Sequence, residues 1–363
     1  MTISRRQVFG GYLSRILFLV GIAIWPTLVQ SQKLWVSEGE NWVRLQLPQT
    51  HQVEELKVFK EGSSKALWGK IIQQGDQHYF QPLIPFQAEL KYVVLAKSDT
   101  LFRGEVPYAL GTSPQVVKIF PQGDTLPANL LKFYIQFSQP MSGHTPYSGI
   151  HLLDQAGDTL NRVFLAQNPA LWNHDRTRLT IWLDPGRIKR ELLLHQKYGP
   201  PLMADQAYTL VISSPLQGSN GKQLSQAYQK DFFTMRDDRI RPSLEKVRLD
   251  LPAPQSQDPL TLLFGEAMDW GALEDKVWIE YQEQGFSATL QPTTKDTEFT
   301  LTPHQAWPEG DYQLHFKESI EDLAGNNLSR LFDQDLTNNP SETPPRLDVS
   351  FTLSEAKKRA NKD

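Results

Sequence analysis

The chain has 363 residues, a formal net charge of −4 at neutral pH and no cysteine. Since a domain usually takes about 100–200 residues, this length predicts two or three domains, and a hydrophobic content of 39% is typical of folded chains. The absence of cysteine excludes disulfides and thiolate metal sites, and the absence of a basic excess argues against nucleic acid as a partner.

Residues 1–31 have the composition of an export signal. Arg5, Arg6 and Arg15 form a basic start, residues 16–24 form an apolar run, and Ser31 ends a stretch suited to cleavage. The run is shorter than the roughly 20 apolar residues that span a bilayer, and an uncleaved anchor is the alternative. The segment predicts a periplasmic or extracellular bacterial protein that meets a membrane only through this signal or anchor.

Residues 32–112 are predicted to form a small β-rich domain of the Ig or fibronectin kind. Runs such as Trp42-Val43-Arg44-Leu45-Gln46-Leu47 alternate between apolar and polar residues, which gives a strand one buried and one solvated face. Turn residues such as Glu61-Gly62-Ser63 separate the runs at intervals typical of antiparallel sandwiches.

Residues 113–238 continue the alternating pattern and include the clearest helical segment of the chain. Between Arg187 and Tyr198, apolar residues recur at helical spacing until Gly199-Pro200-Pro201 stops the helix. We therefore predict a sandwich that carries a helical insertion at residues 186–201.

Residues 239–337 repeat the landmarks of the preceding domain. The strand and turn that end at Met141 have a counterpart ending at Met268, and the strand at Tyr208 has a counterpart at Tyr312. The methionines are 127 residues apart but the tyrosines 104, so the first copy holds 23 more residues, which the insertion explains. Residues 338–363 are predicted to form a linker, one closing strand and a charged tail.

The repeated pattern resembles bacterial Ig-like domains of the surface-layer-protein type, in two copies. It consists of the turn Gln139-Pro140-Met141, the strand residues Tyr208-Thr209-Leu210 and the later turn Gly325-Asn326-Asn327-Leu328, although the second copy has Glu266-Ala267-Met268 without a proline. The resemblance implies an all-β protein of tandem Ig-like antiparallel β-sandwiches with one short helical insertion. It also implies a module that spaces, displays or binds, without catalytic residues.

Residue spacing predicts neither an enzyme nor a cofactor. The eight histidines lack metal-binding spacing, and no P-loop, dinucleotide-binding motif or nucleophile elbow is present. The turn at residues 321–327 gathers oxygen ligands of the kind calcium prefers, but it lacks EF-hand order and its Gly-Asn pair serves a turn equally well. We therefore predict no metal site.

The insertion is the one local feature that breaks the repeat. Arg187, Lys189, Arg190 and Lys197 make it basic, and insertions on rigid sandwiches often carry function. We predict a binding surface at these four residues in a structural or protein-interaction module of the cell envelope, with another envelope protein or a glycan as partner. The alternative is an amphipathic loop that only covers a sheet edge.

A second hypothesis is a carbohydrate- or peptidoglycan-binding protein, with or without hydrolytic activity. The chain has nine tryptophans, but those in alternating runs, such as Trp182 and Trp278, are predicted to lie in the core. A sugar site would need an exposed aromatic platform in a groove, and that feature separates the two hypotheses.

Overall fold

The computed structural model describes residues 34–36, 43–47, 55–83, 86–87, 90–105, 112–142, 146–213, 215–334 and 347–354. Residues Lys33–Asp363 form one compact unit. Regular structure in the described residues is nearly all β-strand, with three short α-helices, which confirms the predicted all-β class. The predicted signal segment and charged tail lie outside the described residues.

The first sandwich is built from seven strands of the described chain, in sheets of order β1-β2-β5-β4 and β3-β6-β7. Leu45, Val58, Phe80 and Val94 meet between the two sheets, which is the arrangement of a constant-type Ig domain. Its strands are β1 (Leu34–Val36), β2 (Val43–Gln46), β3 (Leu56–Lys60), β4 (Gly69–Gln74), β5 (Gln77–Pro82), β6 (Lys91–Ala96) and β7 (Asp99–Glu105).

The second sandwich has sheets of order β12-β13-β10-β8 and β11-β14-β15-β9, in which β9 pairs parallel to β15. Its elements are β8 (Val116–Phe120), β9 (Thr125–Pro127), β10 (Lys132–Phe137), β11 (Ile150–Asp154), β12 (Leu171–Trp172), β13 (Arg178–Trp182), α1 (Pro185–Ile188), α2 (Leu193–Tyr198), β14 (Gln206–Ile212) and β15 (Tyr228–Met235). Phe133, Ile135, Leu152, Ile181 and Leu210 fill the space between the sheets.

The third sandwich has sheets of order β16-β17-β21-β20 and β19-β18-β22-β23. Its elements are β16 (Arg248–Asp250), β17 (Leu260–Leu263), α3 (Trp270–Leu273), β18 (Val277–Tyr281), β19 (Gln284–Phe286), β20 (Ala288–Pro292), β21 (Glu298–Pro303), β22 (Gly310–Phe316) and β23 (Asp348–Leu353). The strand predicted within residues 338–363 is β23, which pairs with β22 and completes this sandwich.

The insertion contains two short helices where one continuous helix was predicted over Arg187–Tyr198. The backbone leaves the helical region at Lys189, which has a ψ of 114°, and Leu192 is extended as well, with a ψ of 148°. The helical spacing is therefore interrupted between α1 and α2. In the described part of the chain, no helix is long and apolar enough to cross a membrane.

Candidate interaction surface

The insertion begins with a capped turn that follows β13 directly. The Asp184 carboxylate accepts a hydrogen bond of 2.8 Å from the Gly186 N–H, and Pro185 occupies the first position of α1, where its missing N–H costs nothing. Leu194 of α2 packs on Gly186, since a Cβ there would lie 2.8 Å from the Leu194 Cδ1. Gly199 ends α2 with a φ of 71°.

Arg187 lies inside the insertion and is buried. Its guanidinium donates hydrogen bonds of 2.8 to 3.3 Å to five backbone carbonyls, which are those of Asn161, Arg162, Tyr198, Gly199 and Pro200. A guanidinium has five N–H donors, so these five hydrogen bonds within the protein use its full donor capacity. Arg187 therefore holds the insertion together and is not available to a partner, which corrects its predicted place on the binding surface.

Lys189 and Arg190 contact the connection that follows Leu328 in the third sandwich. The Lys189 Nζ lies 4.6 Å from the centroid of the Phe332 ring, and the Arg190 Nε lies 3.4 Å from the Asp333 carboxylate. Arg239 donates to the same carboxylate at 3.0 Å. These two basic residues of the insertion therefore fix it against the neighbouring sandwich.

Lys197 lies on the exposed side of α2. Its Nζ is 5.1 Å from the centroid of the Tyr198 ring, while the Arg162 Nη1 donates to the Tyr198 hydroxyl at 2.5 Å. Both of these neighbours belong to the second sandwich, whereas Lys189 and Arg190 contact residues of the third. The binding role of Lys189, Arg190 and Lys197 stays a prediction.

Three consecutive leucines, which we call the leucine tip, are the most prominent apolar feature of the insertion. Leu192, Leu193 and Leu194 are all exposed, and Leu193 is 80% accessible to solvent. They are absent from the predicted binding surface, which consists of basic residues alone. A signal was nevertheless present in the sequence, because three successive residues cannot all lie on one buried face of a helix.

Lys132 on β10 lies at the junction between the second and third sandwiches. Its buried Nζ is 3.0 Å from the Asp269 carboxylate and 2.6 Å from that of Glu321, both in the third sandwich. Burial alone would lower the pKa of Lys132, but the two carboxylates outweigh it and hold the pKa above its ordinary value. The ion cluster thus stabilises contact between the two sandwiches.

Backbone and apolar contacts extend this junction. The N–H groups of Gln122 and Gly123 donate to the Asp296 carboxylate at 2.9 and 2.8 Å. Leu323 of the third sandwich belongs to the core of the second, while Phe120 and Tyr134 of the second belong to the core of the third. The second and third sandwiches therefore share parts of their cores.

A cluster of three carboxylates lies beside the same junction. Carboxylate oxygens of Asp238, Glu266 and Asp322 lie within 4.8 Å of one another. Burial raises the pKa of Asp322 to about 7, with Asp238 adding to the effect, although hydrogen bonds from Ala324 and Asn326 oppose it. In the turn considered for calcium, Asp322 accepts from its own loop and Glu321 from Lys132, so these oxygens are engaged within the protein.

The tryptophans divide between core and surface. Trp307 and Trp270 are buried in the third sandwich. Trp278 is 43% exposed and stacks on His315, with ring centroids 5.2 Å apart, so its predicted place in the core is wrong. The reason is strand alternation, because Ile279 takes the inward face of β18.

Residues 241–352 match the family model of the bacterial Ig-like domain. This span covers the third sandwich from β16 through all of β23 except its last residue. Domains of this kind are typically non-catalytic and fit a structural or interaction module. No curated protein matches the chain.

Several solved structures show distant similarity. Native Escherichia coli α2-macroglobulin is 14% identical, with 67% of this chain covered and a TM-score of 0.23, and the chain spans 14% of its length. The Escherichia coli adhesin FdeC is 10% identical, over 78% of this chain and 80% of that chain, with a TM-score of 0.18. Domains 1–6 of the surface layer protein SbsC are 9% identical, over 84% and 35%, with a TM-score of 0.19.

Structural similarities with TM-scores this low do not indicate a function. The predicted resemblance to a bacterial Ig-like domain is confirmed for residues 241–352. The surface-layer type and the second copy stay predictions. Residues 241–352 are similar to a bacterial Ig-like domain.

Proposed function

We propose that this protein is an exported, non-enzymatic module of the bacterial cell envelope that binds another envelope protein. The Ig-like match over residues 241–352 supports an interaction or structural module, and the basic and apolar composition of residues 1–31 supports export. The observation that carries the binding role is the leucine tip.

The leucine tip exposes apolar surface on a well-supported loop. Contiguous apolar side chains in water are unfavourable, and such patches often mark sites of association. Arg187 fixes the base of the loop through five hydrogen bonds, and Lys189 contacts Phe332 on the adjacent sandwich. A loop that is ordered before binding loses less entropy when it associates.

The chemistry of the tip favours a protein partner at this position. Leucine side chains offer no hydrogen-bonding groups, so they suit an apolar pocket on another protein. Arg190 and Lys197 are exposed and flank the leucine tip in the sequence, and their charges would form a polar rim around that contact.

Site-specific photo-crosslinking in cells tests this proposal. A crosslinker at Leu193 should give one reproducible envelope protein, whereas a crosslinker at Leu251, an exposed leucine of the third sandwich with 46% accessibility, should not. Sequencing the N-terminus of the purified protein tests export at the same time, with a start at Gln32 expected.

A matched pair of substitutions separates recognition from folding. Leu193→Asp should abolish the crosslinked product and leave the unfolding midpoint unchanged, because the side chain is exposed, while Leu251→Asp should leave both unchanged. Equal yields of the same product from Leu193→Asp and the unmodified chain would contradict the proposed surface. A protein retained in the cytoplasm would contradict the proposed location.

A further inference from the structure

A groove of about 500 Å³ lies between the first and second sandwiches. We call it the Trp68 groove. Its wall from the first sandwich includes Lys65 and Trp68, both in the connection between β3 and β4. Its wall from the second sandwich includes Trp172, His174 and Arg176, on the hairpin of β12 and β13. The volume lies in the ordinary range of small-molecule sites, about 300–1,000 Å³.

Trp68 provides an exposed aromatic face on this groove. Its side chain is 82% accessible, about twice the 43% of Trp278. The flat, apolar face of an indole can pack against the C–H groups of a sugar ring, while its N–H remains able to donate. Trp68 therefore meets the requirement for a platform in a groove.

The opposite wall contains hydrogen-bond donors without acceptors. The Trp172 Nε1 and the Arg176 Nη1 are both buried and have no hydrogen-bond partner in the described structure. Buried donors are normally paired, because an unpaired one has lost its contact with water and gained nothing in return. An acceptor supplied by a ligand would remove this deficit.

Arg176 adds an unneutralised charge. Burial lowers the pKa of its guanidinium, with only a smaller opposing effect from Tyr92. Among the described residues no carboxylate pairs with Arg176, and none lines the groove, whereas Lys65 and His174 add positive or titratable groups. An anionic ligand would find complementary charge here.

The donor set defines the ligand further. Indole and guanidinium groups can only donate, so the ligand must bring acceptors, and a carboxylate matches a guanidinium in geometry and charge. An aromatic platform beside these donors suits a molecule with both an apolar ring face and an acidic group. A sugar with a carboxylate has both.

We propose that the Trp68 groove binds an acidic saccharide, with a sugar ring on Trp68 and its carboxylate at Arg176 and Trp172. Arg176 and Trp172 both line the groove, although the two unpaired nitrogens themselves are buried. Access to the two unpaired nitrogens requires a side-chain adjustment, which is common when ligands bind. The site is independent of the leucine tip, and saccharide binding goes beyond the proposed function of the protein.

Calorimetric titration of the full mature chain with two matched disaccharides tests the proposal. N-acetylglucosaminyl-N-acetylmuramic acid carries a carboxylate that di-N-acetylchitobiose lacks, and triglutamate carries carboxylates without a sugar ring. We expect the acidic disaccharide to bind at least about tenfold more tightly than either of the other two, and more weakly at high salt. Tighter binding of triglutamate would assign the groove to acidic peptides and overturn the proposal.

Substitutions in the groove place the ligand. Trp68→Ala should weaken binding of the acidic disaccharide by at least about tenfold, while Trp278→Ala, at another exposed tryptophan, should have no effect. Arg176→Met should lower its affinity to that of chitobiose, and Arg176→Lys should retain part of the difference. Unchanged affinity in Trp68→Ala, or no binding of the acidic disaccharide at millimolar concentration, would overturn the proposal.

Discussion

The two junctions between neighbouring sandwiches are built in opposite ways. At the second junction, between the second and third sandwiches, Lys132 is paired with Asp269 and Glu321, and apolar residues from each side enter the core of the other. At the first junction, Arg176 and Trp172 have unpaired donors and a groove of about 500 Å³ separates the walls.

This difference shows how one topology can serve two purposes. A junction with paired charges and shared cores favours a fixed relation between two domains, because separating them would leave buried groups without partners. A junction with exposed aromatic surface and unpaired donors leaves those interactions available to a ligand. The first junction and the leucine tip are therefore better suited to binding than the interior of the second junction.

The largest expected effect comes from removing the cation of the second junction. Lys132→Met leaves the buried Asp269 and the half-buried Glu321 without their partner, so the free energy of unfolding should fall by about 3–5 kcal/mol in urea titrations. Lys295→Met, which removes an exposed pair with Glu298, should cost about 0–1 kcal/mol. Similar costs for the two variants would show that the junction is hydrated and open.

Proton binding at the same junction gives a pH dependence of defined sign. Burial raises the pKa of Asp322 from 3.8 to about 7, so the folded protein retains a proton that the unfolded chain releases. Its contribution to stability is therefore complete below pH 3.8 and is lost as pH rises to about 7. Urea unfolding at several pH values should show a shallower decline over this window in Asp322→Asn, and equal slopes would contradict the burial of this carboxyl.

Close backbone packing at the second junction predicts a smaller effect. Gly271 of α3 lies against Tyr134, and a Cβ at position 271 would overlap the tyrosine ring. Gly271→Ala should therefore lower the free energy of unfolding by about 1–3 kcal/mol. Gly285→Ala is the control, because a Cβ there meets no atom within 4 Å, and an equal loss in both variants would contradict tight packing at the junction.

The smallest effect on stability is expected at the first junction. Arg176→Met removes a partly buried charge that has no carboxylate partner among the described residues, so the free energy of unfolding should change by less than about 1 kcal/mol in either direction. Thermal and urea unfolding both measure this. A loss as large as that of Lys132→Met would mean that Arg176 is neutralised within the fold, and the contrast between the junctions would disappear.

Local sequence patterns predict the strands, because the alternation of apolar and polar residues depends only on residues that are adjacent in the chain. The run Leu260–Leu263 has buried residues at alternate positions, as its sequence indicates, and the matched span 241–352 carries the Ig-like signature. The insertion was located by the unequal spacing of the two repeats. The basic residues of the insertion are evident in the sequence, but the residues that they contact in the fold are not.

Contacts between distant residues account for what the sequence did not reveal. Lys132 is 137 residues from Asp269 and 189 from Glu321, so no local pattern connects them. The burial of Arg187 depends on carbonyls that any residue could supply, and these leave no trace in residue types. Trp68 is exposed in the connection before β4 and Trp278 on the outer face of β18, and composition alone reveals neither position.

The last strand of the third sandwich also has a consequence for the order of folding. β22 ends at Phe316, whereas its partner β23 begins at Asp348, and Phe351 stacks on Tyr312 with ring centroids 4.9 Å apart. Until β23 has been synthesised, β22 presents an unpaired edge that can accept a strand from another molecule. A chain cut before residue 348 would therefore be prone to strand exchange, so the C-terminal strand protects the protein from self-association as well as completing its core.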